Sequence, residues 1–238
     1  MKITVVVPTY NEEKGLEKFL KQFKRQTLPR SEFELIIVDG NSSDRTREIA
    51  KKYADLVIIQ KSKGVGGARN DGVKAARAEV VVTTDADVIF PPFWLEKIYN
   101  HFEKDLDLIF LFGSNYSITK NKVINFFSHI KRILNKVFTA FHIGYLAEGP
   151  NSAFRKSFFL RAGGYSDIPV MDDTEITSRM RKLGKIRYDN SIFVYSSVRR
   201  IDKNGISGSG FISITSYLKL ILFGKESIQV NNYNKQEY

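Results

Sequence analysis

The segment ITVVVPTYNEE, residues 3–13, passes from a run of β-branched apolar residues through a polar loop to two glutamates. The apolar run is continuous rather than alternating, which predicts a strand buried on both faces. Glu12 and Glu13 precede apolar residues at helical spacing from Leu16 onward, at the position where a helix N-terminus favours negative charge. The chain is therefore predicted to begin with a strand–loop–helix unit.

The same unit recurs along the first half of the chain. Further apolar runs occur at 33–38, 55–60 and 79–84, and helical patterns separate them. Continuous apolar strands that alternate with helices indicate an α/β fold with a mainly parallel, Rossmann-like sheet covered by helices on both faces. Ligands of such sheets bind beyond the carboxyl ends of the strands. We therefore expect the polar loops that follow these strands to form one site.

Length and composition bound the class of protein. The 238 residues are 42% hydrophobic and 26% charged, which fits a single large domain with a sizeable core. The chain has no cysteine, so disulfides and thiolate metal sites are excluded. No signal-peptide pattern follows Met1, and a cytoplasmic location is expected. The formal net charge of +11 predicts an anionic partner.

Two aspartates, Asp85 and Asp87, close the fourth apolar run in the sequence TTDADV. Acids two residues apart point the same way while a strand continues, and their repulsion would raise the pKa of one of them. A divalent cation, Mg²⁺ or Mn²⁺, would relieve that repulsion, because it prefers carboxylate oxygens together with substrate phosphate oxygens. The alternative is a turn in which both aspartates accept bonds from backbone amides.

Three further side chains suit a nucleotide. Asp39 could accept a hydrogen bond from the imide N–H of uracil or form an Asx turn, and Tyr10 could stack on a base or pack internally. The segment GVGGARNDG, 64–72, supplies glycines and the cation Arg69. It is neither a P-loop nor a dinucleotide fingerprint, which disfavours ATPase and NAD-binding functions.

Five motifs, in their order and spacing, resemble the family 2 glycosyltransferases of the GT-A fold. They are VVVPTYNEE, IIVDGNSSDRT, GGARNDG, TTDADV and MDDTEITSRMRKLG. The resemblance implies transfer of a sugar from a UDP- or GDP-sugar, usually with inversion at the anomeric carbon. It covers roughly residues 1–200, which we divide into a nucleotide-sugar half, 1–112, and an acceptor-side half, 113–200. Residues 201–238 would form a basic loop, an apolar helix and a frayed tail.

The resemblance also implies roles for individual residues. Asp87 and Asp85 would hold Mg²⁺ or Mn²⁺. The residues expected to contact the nucleotide-sugar are Pro8, Tyr10, Glu12, Asp39, Arg69, Asn70, Asp85, Asn151, Arg199 and Arg200. For the last two, which would pair with the diphosphate, an ordinary solvated basic face is the alternative.

Inversion by direct displacement needs one general base on the face opposite the leaving diphosphate. In MDDTEITSRMRKLG, 171–184, the resemblance places this base at Asp173. Asp172 stands where the family commonly has a glutamate, so it remains a rival. Both acids could instead merely favour a helix N-terminus. Arg179 is expected to pair with Glu175 one helical turn away.

The segment 118–146 is basic and contains no acidic residue. Its helical apolar stripe consists of Val123, Phe127, Ile130, Leu134, Val137 and Phe141. Such a helix could lie on anionic lipid or pack on the sheet with its polar face in water. The apolar segment 210–224 is too short to span a bilayer and would be a second interfacial or packed helix.

The segments 118–146 and 210–224 bear on which acceptor the protein uses. If both meet lipid, the acceptor could be a polyprenyl phosphate or another lipid-linked molecule rather than a free glycan, and the protein would be peripheral on the cytoplasmic face. Nucleic acid is disfavoured because the basic cluster borders an aliphatic stripe instead of alternating with stacking aromatics. Two alternative functions stay open: a membrane-associated nucleotide-sugar binder without turnover, and a sugar-phosphate nucleotidylyltransferase.

Overall fold

A computed structural model describes residues 1–119, 121–140, 145–147, 149–168 and 171–197 of the protein. The strands are β1 (Ile3–Thr9), β2 (Phe33–Asp39), β3 (Leu56–Ile59), β4 (Val80–Thr83), β5 (Val88–Ile89), β6 (Leu108–Ile118), β7 (Ser152–Arg155) and β8 (Lys185–Ser197). The helices are α1 (Glu13–Leu20), α2 (Thr46–Ala50), α3 (Gly64–Ala75), α4 (Trp94–Lys104), α5 (Lys122–Ala140), α6 (Lys156–Arg161) and α7 (Asp172–Met180). Arg199, Arg200 and the segment 210–224 lie outside the described residues.

The strands form one sheet in the order β3-β2-β1-β4-β7-β6-β8-β5. The first four in that order run parallel, β7 lies antiparallel between β4 and β6, and β8 is parallel to β6. The short β5 pairs antiparallel with β8. The predicted α/β fold with a mainly parallel sheet is confirmed.

Both faces of the sheet are buried at β1, β2 and β4, which explains their continuous apolar runs, whereas the edge strand β3 leaves Leu56 and Ile59 exposed. On β1, Val5 and Val7 pack with α1 and α4, whereas Val6 packs with α3 and α7 on the other face. Helix α3 lies directly on β1 at Gly72. A side chain there would clash, since a Cβ would come 2.3 Å from Cγ1 of Val6. One glycine of the segment 64–72 is thus required for packing.

Several boundaries differ from the sequence expectations. The residues after GNSSD favour a helix that Ser43 or Asp44 caps and that runs through residue 53, but the structure limits this helix to α2 (Thr46–Ala50). Asp44 does accept a bond from the amide of Thr46 at 2.9 Å. The segment GPNSAF, 149–154, is predicted to be rich in turns, but Ser152 already begins β7. Strand β6 crosses the position between residues 112 and 113 where we divided the domain. None of the helices in the described ranges is long and apolar enough to cross a bilayer.

Candidate active site

A cleft opens at the carboxyl ends of β1 and β4. It is lined by Pro8, Tyr10, Glu12, Val65, Asp85, Ala86 and Asp87. Five of these are residues that the sequence nominated, and they meet because β1 and β4 are parallel neighbours whose loops leave the sheet at the same edge.

At one side of this cleft, three acidic side chains converge on the guanidinium of Arg69. Nη2 donates to Oδ1 of Asp85 at 2.8 Å, while Nη1 lies 3.5 Å from Oδ1 of Asp173 and 3.8 Å from Oδ2 of Asp172. Arg69 comes from α3 and is only 3% exposed. A buried cation therefore joins the acid at the end of β4 to the two acids at the start of α7. We call these four residues the Arg69 cluster.

Burial dominates the acid–base chemistry of the Arg69 cluster. Burial, followed by the negative charge of Asp172, raises the pKa of the Asp173 carboxyl from its ordinary value of 3.8 to about 7. The guanidinium of Arg69 and the backbone N–H of Gly149 act in the opposite direction. Burial also raises the pKa of Asp172. An acid that titrates near neutrality is suited to accept and release a proton.

Helix α7 is fixed in a way that presents its two aspartates. Met171, directly before α7, has a left-handed backbone with φ of 66°, a conformation uncommon outside glycine and asparagine. Within α7, Nε of Arg179 lies 2.7 Å from Oε1 of Glu175, one helical turn earlier. This confirms the expected ion pair. Arg179 also donates to the carbonyl oxygens of Ala162 and Gly164. The helix is thereby clamped to the preceding loop.

The Arg69 cluster leaves no space beside Gly149. A Cβ there would come within 2.4 Å of the Arg69 guanidinium atoms. The Gly149 carbonyl accepts a bond from Oγ1 of Thr83 at 2.9 Å, which ties the segment to the end of β4. Sequence reasoning recognised GPN only as a turn. Its role depends on Arg69, 80 positions earlier, so no local signal identifies it.

Tyr165 and Gly66 are two further residues of the site that the sequence did not reveal. The Arg69 guanidinium lies over the Tyr165 ring, 5.7 Å from its centroid. A Cβ at Gly66 would come 2.9 Å from Oδ2 of Asp172 and 3.2 Å from Cβ of Tyr165. The Tyr165 ring therefore packs against the guanidinium. The backbone of α3 at Gly66 packs against Asp172 and Tyr165.

Two nominated residues make structural bonds near the site instead of lining the cleft. Asp39 is fully buried and accepts bonds from the Ser42 amide at 2.8 Å and the Ser42 hydroxyl at 2.6 Å. Asp39 thus bonds the residue three positions further along the loop, a local turn of the kind that we weighed as the alternative to uracil recognition. Asn70 exchanges two bonds with the backbone of Tyr165, at 2.8 and 2.9 Å. It fixes the loop that carries the ring under Arg69.

Asn151 is also absent from the cleft lining. Its amide is buried and donates to the carbonyl oxygens of Ser114 at 2.9 Å and Ile192 at 3.2 Å. Its oxygen accepts from Nε1 of Trp94 at 2.9 Å. The side chain therefore joins β6, β8 and α4, with all of its described hydrogen bonds inside the protein.

The cleft offers donors suited to a divalent cation. Asp85 and Asp87 are half-buried carboxylates, which supply the hard oxygen ligands that Mg²⁺ and Mn²⁺ prefer. Across the described ranges, no group of three or more His, Cys, Asp or Glu side chains is placed to hold a metal ion. Two carboxylates, one of them already bonded to Arg69, fit a cation that completes its coordination with substrate phosphates rather than with protein.

The family model described as "Glycosyl transferase family 2" matches residues 4–161. This range extends from β1 through β7 and contains Asp85 and Asp87. This chain belongs to glycosyltransferase family 2. The family assignment favours the transferase over the nucleotidylyltransferase alternative.

Two curated relatives of this family 2 chain illustrate the match. Poly(ribitol-phosphate) beta-N-acetylglucosaminyltransferase TarS of Staphylococcus aureus is 38% identical over 93 residues, covering 37% of this chain and 16% of that protein. Dolichol-phosphate mannosyltransferase of Pyrococcus furiosus is 35% identical over 121 residues, covering 49% of this chain and 34% of that protein. The matched stretch is thus about a third or less of either relative.

Solved structures show the same GT-A fold. The mannosyltransferase PcManGT from Pyrobaculum calidifontis, in complex with GDP-Man and Mn²⁺, has a TM-score of 0.66 and 20% identity, covering 95% of this chain and 72% of that chain. Residues 1–349 of TarS from S. aureus, in complex with UDP-GlcNAc, give a TM-score of 0.65 and 23% identity, covering 84% and 59%. At these identities the likeness establishes the fold alone.

Proposed function

We propose that this family 2 chain transfers a sugar from a UDP- or GDP-sugar to an acceptor, with inversion at the anomeric carbon. The observation that carries the proposal is the Arg69 cluster, which places a buried pair of acids beside the carboxylate cleft. Both nucleotide classes have precedent among the structural neighbours, one bound to UDP-GlcNAc and one to GDP-Man.

Asp173 is the proposed general base. Direct displacement requires removal of a proton from an acceptor hydroxyl as it attacks. The raised pKa of Asp173, about 7, makes its carboxylate a stronger base than an exposed aspartate. Asp172 contributes by its negative charge, which keeps that pKa high, and Arg69 positions both acids.

The donor is proposed to occupy the cleft. Asp87 and Asp85 would hold Mg²⁺ or Mn²⁺, which when bound supplies a Lewis acid for the charge on the leaving diphosphate. Pro8, Tyr10 and Glu12 would lie against the nucleoside. Asp39 and Asn70 would act indirectly, through the turn and the loop that they fix. Pairing of Arg199 and Arg200 with the diphosphate remains part of the proposal.

The proposed acceptor is lipid-linked. Support comes from the basic, apolar character of 118–146 and from the name of the relative that acts on dolichol phosphate. A phosphate acceptor is already ionised and needs no base, whereas a hydroxyl does. Asp173→Asn should therefore slow transfer to a hydroxyl severely and affect transfer to a phosphate less.

A thermal-shift screen with UDP- and GDP-sugars, with and without Mn²⁺, tests the donor site. A ligand that binds only the folded state raises its stability, by about 2.7 kcal/mol at a hundred times its dissociation constant. We expect one donor to raise the Tm in the presence of Mn²⁺, and Asp87→Asn to remove that effect. Asp107→Asn, at an exposed acid, is the matched control.

Turnover is measured on the same samples as release of UDP or GDP. Donor binding without hydrolysis or transfer to any acceptor would favour the nucleotide-sugar binder that lacks turnover. Full transfer by Asp87→Asn, or a donor shift equal with and without Mn²⁺, would contradict the proposed metal site.

A further inference from the structure

Helix α5 turns its polar side toward the rest of the protein. Asn135 is buried and exchanges bonds with the backbone of Leu146, at 2.9 Å to its amide and 3.3 Å to its carbonyl. The Arg132 guanidinium lies over the Tyr116 ring of β6, 4.5 Å from its centroid. Among the described side chains of α5, these two polar residues attach the helix to the rest of the protein by hydrogen bonds and a cation–π contact.

The opposite side of α5 is apolar and exposed. Its members are Phe126, Ile133, Leu134 and Val137, which are 61%, 48%, 37% and 41% exposed. At about 100° per residue these positions fall within an arc of about 100°, so they form one continuous stripe. We call these four residues the α5 outer face. A helix that used its apolar stripe to pack on the sheet would bury them.

The charge around the α5 outer face identifies what can cover it. Lys122 and Lys136 are exposed and flank the stripe on one side. No acidic residue occurs between Asp107 and Glu148. Two copies meeting through this face would bring like charges together without a compensating acid. An anionic lipid surface instead offers phosphates to the lysines and acyl chains to the stripe.

We propose that the α5 outer face is a membrane-docking surface that inserts into the headgroup region of an anionic bilayer. The helix lies in the plane of the interface, with its apolar stripe in the acyl boundary and the two lysines at the phosphates. Asn135 and Arg132 keep the polar side on the protein. The proposal concerns binding alone and is independent of the sugar-transfer chemistry.

The direct test is co-sedimentation of the full chain with vesicles of phosphatidylcholine containing phosphatidylglycerol, compared with phosphatidylcholine alone, without nucleotide or metal. We expect binding only to the anionic vesicles, weakened by salt. The double variant Phe126→Glu, Val137→Glu should lose binding by tenfold or more. Each of Lys122→Gln and Lys136→Gln should weaken it about fivefold. Leu106→Glu, at a residue 77% exposed outside α5, should bind like the wild type.

A second measurement does not depend on how the glutamate variants fold. The chain has one tryptophan, Trp94, which is fully buried. Phe126→Trp and Leu106→Trp each add a second, exposed tryptophan. We expect brominated lipids in anionic vesicles to quench the fluorescence of the tryptophan at position 126 but not of the one at position 106. The inference fails if wild-type protein ignores anionic vesicles, if both tryptophans are equally unquenched, or if Leu106→Glu weakens binding as much as the α5 variants. It also fails if the α5 variants abolish a dimer and vesicle binding never occurs.

Discussion

Gly149 packs against the guanidinium of Arg69 so closely that a single added methyl group would lie 2.3 Å from Nη1. Arg69 cannot yield easily, because it is buried and three carboxylates hold it. This pair joins the segment before β7 to α3, and through Arg69 to every acid of the cluster. The position of Gly149 therefore controls where Asp85 and Asp173 lie.

Gly149→Ala should displace Arg69 and break its 2.8 Å bond to Asp85. We expect a loss of about 1–3 kcal/mol in the free energy of unfolding, the usual cost of overpacking, together with a large fall in sugar transfer. Denaturant unfolding and a transfer assay measure the two effects. Gly15→Ala is the control, because its nearest neighbour would be 3.9 Å from the new Cβ and alanine favours a helix. Wild-type activity in Gly149→Ala would contradict the role of this contact.

Asp173→Asn should stabilise the folded protein at neutral and alkaline pH. The pKa of Asp173 is raised in the folded state to about 7, so the folded protein holds a proton that the unfolded chain releases. The wild type therefore loses stability as pH rises from about 4 to about 7, on the order of a few kcal/mol from this group. The asparagine of the variant stays neutral, so the variant does not lose stability from this position as the pH rises.

The measurement is the difference in unfolding free energy between Asp173→Asn and the wild type across that pH range. It should be small at about pH 4 and grow in favour of the variant until about pH 7. A difference that stays constant with pH would show that Asp173 titrates normally. Asp167→Asn, at an exposed acid, is the matched control for the substitution itself.

The pH dependence of transfer to a hydroxyl acceptor should separate Asp172 from Asp173. If Asp173 is the base, kcat/KM falls below about pH 7, where its carboxylate becomes protonated. Asp172→Asn removes a like charge that raises this pKa, so the acidic limb should move to lower pH. Asp173→Asn should lower the rate by about 10²–10⁴-fold at and above about pH 7, where the wild-type carboxylate is ionised, and the difference should shrink at lower pH. The reverse pattern would make Asp172 the base.

Asn151→Ala should destabilise the fold without weakening donor binding. The change removes the bonding partner of Nε1 of Trp94 and of the carbonyl oxygens of Ser114 and Ile192. Each buried group left unpaired costs about 1–3 kcal/mol. Denaturant unfolding should show the loss, while the KM for the donor stays unchanged below the unfolding transition. An unchanged stability with a raised KM would instead support the sugar-binding role that the sequence suggests for Asn151.

The sequence predicted the parallel half of the sheet because the physics there is local. Runs such as 3–8 and 33–38 are buried on both faces, and that burial is visible as uninterrupted apolar composition. Strand β7 has only four residues, and β8 mixes charged, polar and aromatic residues, so neither gives a clear period. Their positions depend on pairing with β4 and β6.

The residues of the site also fall into those that local sequence patterns predict and those whose contacts depend on the packing of distant elements. The convergence of the cleft residues at the carboxyl ends of β1 and β4 was predictable, because the loops after neighbouring parallel strands leave the sheet at the same edge. The contact between Arg69 and the α7 acids was not, because it depends on how two distant helices pack. Asp39 and Asn151 show the opposite case. Their types suit a ligand, but burial directs their hydrogen bonds into the protein.

The antiparallel insertion of β7 between β4 and β6 has a mechanical consequence. Thr83, just before the acidic loop, pairs with Ser152, three residues after Gly149. The loop that carries Asp85 and the segment that carries Gly149 are therefore attached to neighbouring strands of one hydrogen-bonded ladder. The spacing of the two segments at this edge is therefore as constant as the register of the sheet.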